Sequence, residues 1–122
     1  MIKVFGLRNC DTCRNALKWL ENLGVMHEFY DIRDKDLDAD AVSRWTSVVG
    51  WHSLLNTRST TWRGLPDEKK AIANAQAAME LMLENPTLIK RPVFEAGNKV
   101  IVGFKDVQKE ALEQQRFRSC RR

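Results

Sequence analysis

Between residues 2 and 32 the apolar pattern changes period twice, which restricts the fold to one carrying a strand, a helix and a strand in immediate succession. IKVF over residues 2–5 is β-prone and stops at Gly6, after which Ala16, Leu17, Leu20 and Leu23 recur at helical spacing. Gly24 stands where a helix-terminating glycine belongs, and VMHEFYDI over residues 25–32 returns to strand composition. The first third of the chain is therefore a βαβ unit. Cys10 and Cys13, in the stretch RNCDTCRN, fall at the turn between its first strand and its helix.

Residues 33–37 are charged, and DADAVSRWTSVV over 38–49 predicts a helix stopped by Gly50. A loop holding Thr57, Arg58, Ser59, Thr60, Thr61 and Trp62 is expected next, then helical stretches around 67–72 and 75–84, the latter ended by Asn85-Pro86. From Arg91 the pattern becomes RPVFEAGNKVIVGF, two β-prone runs around Gly97-Asn98 that signal a hairpin. A last helix over about 106–115 is expected to lay Val107, Ala111 and Leu112 on the sheet. The order βαβ, helical insertion (about 38–86), ββα is the thioredoxin-like arrangement: an α/β fold with a mixed four-stranded sheet, in one domain over residues 1–115, followed by a mobile basic tail over 116–122.

At 122 residues and 43% hydrophobic, the chain can bury one core. Lys and Arg outnumber Asp and Glu by 20 to 16, but the last seven residues, RFRSCRR, hold four arginines and no acid, so residues 1–115 carry 16 of each sign. A basic end is not the basic face that phosphate neutralisation needs, which argues against nucleic-acid binding by the fold. No run approaches the roughly 18 apolar residues of a membrane span. A soluble, cytoplasmic protein with no membrane partner is expected, and in that compartment a CxxC points to redox or metal chemistry rather than to a structural disulfide.

A cysteine attacks as thiolate, and a helix start with nearby cations favours that form. Cys10 has the helix N-terminus beside it and is flanked in sequence by Arg8 and Arg14; Asp11 opposes them and, as a cap, competes for the same N–H groups. Cys13 lies about one helical turn on. It either resolves a disulfide at Cys10 or is a small buried residue, and the spacing leaves both open. A structural zinc site wants four ligands, and the other candidates, Cys120, His27 and His52, are scattered without matching spacing, so no metal is expected. Neither histidine is aimed at Cys10 by its position, and Trp45, Trp51 and Trp62 read as core or groove wall rather than as base-stacking platforms.

NCDTCRNA after the first strand, LLNTRSTTWRGL over 54–65, ENPTLIKRPV over 84–93 and VGFK over 102–105 together resemble the ArsC-like group of the thioredoxin superfamily, across about residues 1–115. That group holds glutaredoxin-linked arsenate reductases, YffB-like proteins and Spx regulators, and the 54–65 segment looks most like the YffB-like branch. The resemblance implies that Cys10 is the nucleophile, with Cys13 a second catalytic candidate at a position that is often serine in the family and part of a CxxC switch in Spx-like members, that Pro92 is a cis proline bordering the site, and that Arg91 binds an oxyanion or a glutathione carboxylate. Thr12, Arg14 and Arg58 are the further substrate- or glutathione-binding candidates. Of three family arginines only Arg91 is kept in register; the other two positions fall on Asn56 and Gly103. The expected activity is that of a glutathione-dependent thiol-disulfide reductase with no bound cofactor and glutathione as co-substrate. The alternatives are a true arsenate reductase coupled to glutaredoxin, and an Spx-like redox regulator that binds the RNA polymerase α subunit.

Overall fold

In the computed structural model, residues 1–34 and 39–119 are described, with side chains of the last helix described through residue 114. The chain forms two compact units, Met1–Asp31 with Arg91–Arg122, and Ile32–Lys90.

The first unit is built on a four-stranded sheet of order β2-β1-β3-β4. Strand β1 (Ile2–Gly6) is central, parallel to β2 (His27–Asp31) and antiparallel to β3 (Val93–Ala96), which pairs in turn with β4 (Lys99–Val102). Ile2 and Val4 point to one face, where Ala16 and Leu20 of α1 (Asp11–Leu23), Val25, Phe94, Ala96 and Leu112 complete a buried core. Helix α1 can lie there because Cys13, Ala16 and Leu20 recur at helical spacing on its buried side. It ends in a Schellman motif: Gly24 takes φ 72°, its N–H donates to the Glu21 carbonyl at 3.0 Å, and the Val25 N–H donates to the Leu20 carbonyl at 3.1 Å.

Ala96 pairs with Lys99, which leaves the two-residue turn Gly97-Asn98. Gly97 adopts φ 64°, the positive value that the first position of such a turn needs. The last helix, α7 (Asp106–Ser119), runs four residues past the expected end at 115, because nothing between Leu112 and Ser119 breaks a helix. Part of the expected tail is thus helical, while residues 120–122, with Cys120, lie outside those described. Leu112 is fully buried as expected, but Val107 is 73% exposed and does not pack on the sheet.

The second unit is helical. Its helix α2 (Ala39–Val49) buries Ala41, Val42 and Trp45, and α6 (Ala75–Glu84) buries Ala78, Leu81 and Met82. Between them lie three single-turn helices, α3 (Trp51–Leu54), α4 (Thr60–Arg63) and α5 (Asp67–Lys70). The loop expected at 57–62 is therefore partly helical: Ser59 Oγ accepts the Trp62 N–H at 3.1 Å and caps α4, a local bond that periodicity does not register. The stretch expected over 67–72 stops at Lys70, and the 3-10 turn Pro86–Leu88 follows α6. The Asn56 N–H donates to the Leu88 carbonyl at 2.7 Å and the Lys90 N–H to the Leu54 carbonyl at 2.8 Å, flanking the Leu55–Ile89 bridge. No helix among the described residues is long and apolar enough to cross a membrane.

The facing of α7 is testable. Leu112→Ala should cost about 2–5 kcal/mol of unfolding free energy through the cavity it leaves, whereas Val107→Ser should stay within about 0.5 kcal/mol; urea denaturation of both variants checks the pair.

Candidate active site

Sheet register decides what surrounds Cys10. Gly6 pairs with Asp31 and Phe5 with Val93, so the turn that leaves β1, the end of β2 and the Arg91-Pro92 approach to β3 share one edge of the sheet. The Cys10 N–H donates to the Leu7 carbonyl at 3.3 Å, closing a turn over residues 7–10, and the Arg14 N–H donates to the Cys10 carbonyl at 3.0 Å, starting α1. Cys10 itself is the helix N-cap, with extended φ and ψ of −110° and 122°. Asp11, expected as a competing cap, is instead the first helical residue and pairs with Arg14 on the exposed face.

The Cys10 sulfur is half-buried. Burial pushes its thiol up, but hydrogen bonds outweigh burial and hold it below its ordinary value: the thiolate is stabilised by the Cys13 N–H, the Cys13 S–H, Arg91 and the Thr12 N–H. The cations expected to act on Cys10 from its own stretch are engaged elsewhere: Arg14 by Asp11, and Arg8 by Asp31, 3.4 Å from Nη1 to the carboxylate. The guanidinium that reaches Cys10 is that of Arg91, 81 residues away in sequence and brought near through the β1–β3 pairing.

Cys13 differs in every respect. It is fully buried, and burial, together with the hydrogen bond to Cys10 and the Cys10 charge, pushes it up to about 11 against the opposing Leu7 N–H and Arg91. It therefore keeps its proton and serves as a donor to Cys10. Gly6 makes room for it: a Cβ at residue 6 would stand 2.5 Å from Cys13 Sγ. The glycine is needed for this close approach and not for an unusual backbone angle, since its φ is not positive.

The Arg91–Pro92 peptide is cis, and the buried Pro92 accepts the Gly103 N–H on its carbonyl at 2.8 Å. Gly103 has φ 95°, where a side chain is strained, and a Cβ there would meet Gln108 Nε2 at 3.4 Å. Asn56, in the second unit, accepts the Arg58 N–H on Oδ1 at 3.0 Å. The two positions at which the resemblance would place arginines are thus occupied by residues with local backbone duties. Arg58 belongs to the second unit; Thr12 offers its backbone amide to Cys10, and its side chain is exposed.

His27 pairs with Ile2, at the far end of β1 from the cysteine turn by about 13 Å, and its Nδ1 lies 2.9 Å from the Val25 carbonyl. His52 stacks on Trp51 in the second unit. Among the described residues no group of three or more His, Cys, Asp or Glu is arranged to hold a metal ion.

Two residues at this edge escape a reading of the sequence. Gly6 looks like a simple strand end. Asp31 looks like one more charge in YDIRDKD, although its strand phase is that of Phe29, which packs against the core; an acid in phase with a core residue is the available signal.

The contact between Gly6 and Cys13 predicts a thermodynamic coupling. Gly6→Ala should cost about 1–3 kcal/mol in the wild-type background by overpacking, and much less in a Cys13→Ala background where Sγ is gone. Equal costs in the two backgrounds, read from urea unfolding, would show that the sulfur is not the obstacle.

Comparison with known proteins follows the same geometry. Residues 5–112 match the ArsC family. A protein of Haemophilus influenzae is 40% identical over 111 residues, covering 91% of this chain and 97% of that one. The global transcriptional regulator Spx of Streptococcus agalactiae is 27% identical over 131 residues, covering 98% and 95%. A solved structure of a protein named YffB superposes with a TM-score of 0.85 at 37% identity, covering 91% of this chain and 97% of that one. With this match over most of its length and a thioredoxin-like sheet carrying the cysteine turn, the chain belongs to the ArsC family, and its likeness to YffB is consistent with the YffB-like branch.

Proposed function

We propose that the protein is a glutathione-dependent thiol-disulfide reductase with Cys10 as nucleophile. The observation that carries this reading is the donor set around the Cys10 sulfur: two amides, the protonated Cys13 and Arg91 favour a thiolate at a half-buried, reachable position. In the first step the Cys10 thiolate attacks the glutathione sulfur of a mixed disulfide; the new Cys10–glutathione bond forms as the substrate's sulfur leaves as thiolate and takes up a proton. In the second step a glutathione thiolate attacks the glutathione sulfur on Cys10, releasing oxidised glutathione and restoring the Cys10 thiolate. Arg91 suits a glutathione carboxylate through its planar donor fork. In sum, one glutathione thiol is consumed, the substrate's sulfur is released as a thiol and the disulfide bond passes to oxidised glutathione, so the exchange balances without a bound cofactor.

Arsenate fits this site less well than a disulfide. A multiply charged tetrahedral oxyanion depends on several cationic donors, and Asn56 and Gly103 stand where two family arginines belong; arginine at 103 would also strain a backbone held at φ 95°. In an arsenate reaction Cys10 would attack arsenic, with glutathione and glutaredoxin completing the cycle. A regulator is the reading of another class, favoured by the likeness to Spx over nearly the whole chain. Copurification with the RNA polymerase α subunit, lost on oxidation or in Cys10→Ser, would establish it.

A turnover assay with glutathione, offering a small glutathione mixed disulfide and arsenate separately, tests the proposal. Turnover of the disulfide and little of arsenate is expected; Cys10→Ser should fall to the uncatalysed rate, and Arg91→Ala should lose roughly ten- to a hundredfold in kcat/KM, the worth of a hydrogen bond to a charged group. Full activity in Cys10→Ser would end the assignment. Iodoacetamide labelling against pH gives the electrostatic check: because the Cys10 thiol is held low, its labelling curve should lie on the acid side of free cysteine, and Cys13→Ala and Arg91→Ala should each move it toward alkaline pH.

A further inference from the structure

Asp31 is the one buried charged side chain among the described residues, with its carboxylate fully shielded from solvent. A carboxylate in that position costs several kcal/mol of hydration unless it is hydrogen-bonded. One Oδ2 atom accepts the Arg8 backbone N–H at 3.1 Å and lies 3.4 Å from Arg8 Nη1. The amide bond is the shorter of the two, and the Arg8 guanidinium is 63% exposed, so its ion pair adds little. Arg8 is the second residue of the turn over 7–10, whose last residue is Cys10. The neighbouring Leu7 N–H is the amide directed at Cys13.

We propose that Asp31 is a positioning residue for the nucleophile: by holding the Arg8 amide from the end of β2, its carboxylate fixes the turn that aims the Cys10 sulfur at the Thr12 and Cys13 amides and at Arg91. The turn is closed by a backbone hydrogen bond from the Cys10 N–H to the Leu7 carbonyl, and at 3.3 Å it is a long one. Its middle residues, Arg8 and Asn9, are exposed, so a bond from the sheet to the Arg8 amide ties the turn to the fold. The β1–β2 register places that bond, because Gly6, where the chain leaves the sheet, pairs with Asp31 itself. A carboxylate is also suited to the task, since it binds a backbone N–H about twice as strongly as a neutral acceptor does.

The proposal rests on Cys10 being the nucleophile of the proposed reductase, but its test is separable from the substrate assignment. Positioning and plain electrostatics predict opposite signs. Removing a negative charge beside the turn should by Coulomb's law make the Cys10 thiolate easier to form, whereas loosening the turn should make it harder. Iodoacetamide labelling of Cys10 is measured against pH for wild type, Asp31→Ala, Asp31→Asn and Arg8→Ala, each checked for folding by circular dichroism. In Asp31→Ala the labelling curve should move toward alkaline pH and the rate at pH 7 should fall by roughly tenfold, within the cost of misplacing a reacting group by about 1 Å. Asp31→Asn, which keeps a neutral acceptor for the Arg8 N–H, should show a smaller shift in the same direction, and Arg8→Ala, which keeps the amide, should stay close to wild type. An acid-side shift or an unchanged curve in the Asp31 variants overturns the proposal, and Asp31→Asn decides alone where Asp31→Ala does not fold. Labelling involves no disulfide substrate, so failure of the glutathione reading in the turnover assay leaves this result standing.

Discussion

The set of donors that lowers the Cys10 thiol is the constraint to which the edge of the sheet is fitted. A thiolate in a half-buried position is held by donors already in place before it forms, and four of them converge here from two distant parts of the chain: the amides at the start of α1, the Cys13 thiol, and Arg91. Register makes the convergence. Because β1 is central, with Gly6 opposite Asp31 and Phe5 opposite Val93, the residues that end β2 and precede β3 are delivered to the cysteine turn together. A slip of one residue would turn Phe29 of β2 or Phe94 of β3 away from the face it shares with Val4, so the same apolar packing that stabilises the sheet fixes the site. Asp31 is also the last residue before the chain enters the helical unit, and Arg91 the first after it returns. The two positions at which the long helical segment is spliced into the sheet are thus the two that act on the turn.

Much of this was legible from residues alone, and the limit has a physical cause. The βαβ unit, the hairpin at Gly97-Asn98 and the helices over 39–49 and 75–84 carry period and glycine signals long enough to read. Helices α3, α4 and α5 have four residues each, too few for a period, and α4 depends on a single Ser59 cap. At the site, sequence neighbours were a poor guide to electrostatics. Arg8 and Arg14 flank Cys10 in the chain, but each is turned to an acid, while the cation that lowers its thiol comes from a distant part of the sequence. Only the family resemblance pointed to Arg91, because no local pattern distinguishes it from the adjacent Lys90.

The two cysteines, symmetrical in sequence, are made unequal by depth. Gly6 opens the space in which Cys13 Sγ sits, burial keeps that thiol protonated, and its proton is then available to Cys10. The inequality is tied to the state of Cys10. Of the influences that push Cys13 up, burial is permanent, but the hydrogen bond to the Cys10 thiolate and the repulsion from its charge exist only while Cys10 is free. In the proposed exchange both vanish once Cys10 carries glutathione, and the stabilising Leu7 N–H and Arg91 act unopposed by them. Cys13 is then easier to ionise than in the resting protein, though burial still holds it back. Whether it or a second glutathione attacks Cys10 becomes a contest between a nearby thiol with a persistent desolvation cost and a solvated one with normal acidity. On the proposed reading, high glutathione favours the solvated thiol, and the contribution of Cys13 is the hydrogen bond it donates to Cys10 in the resting state.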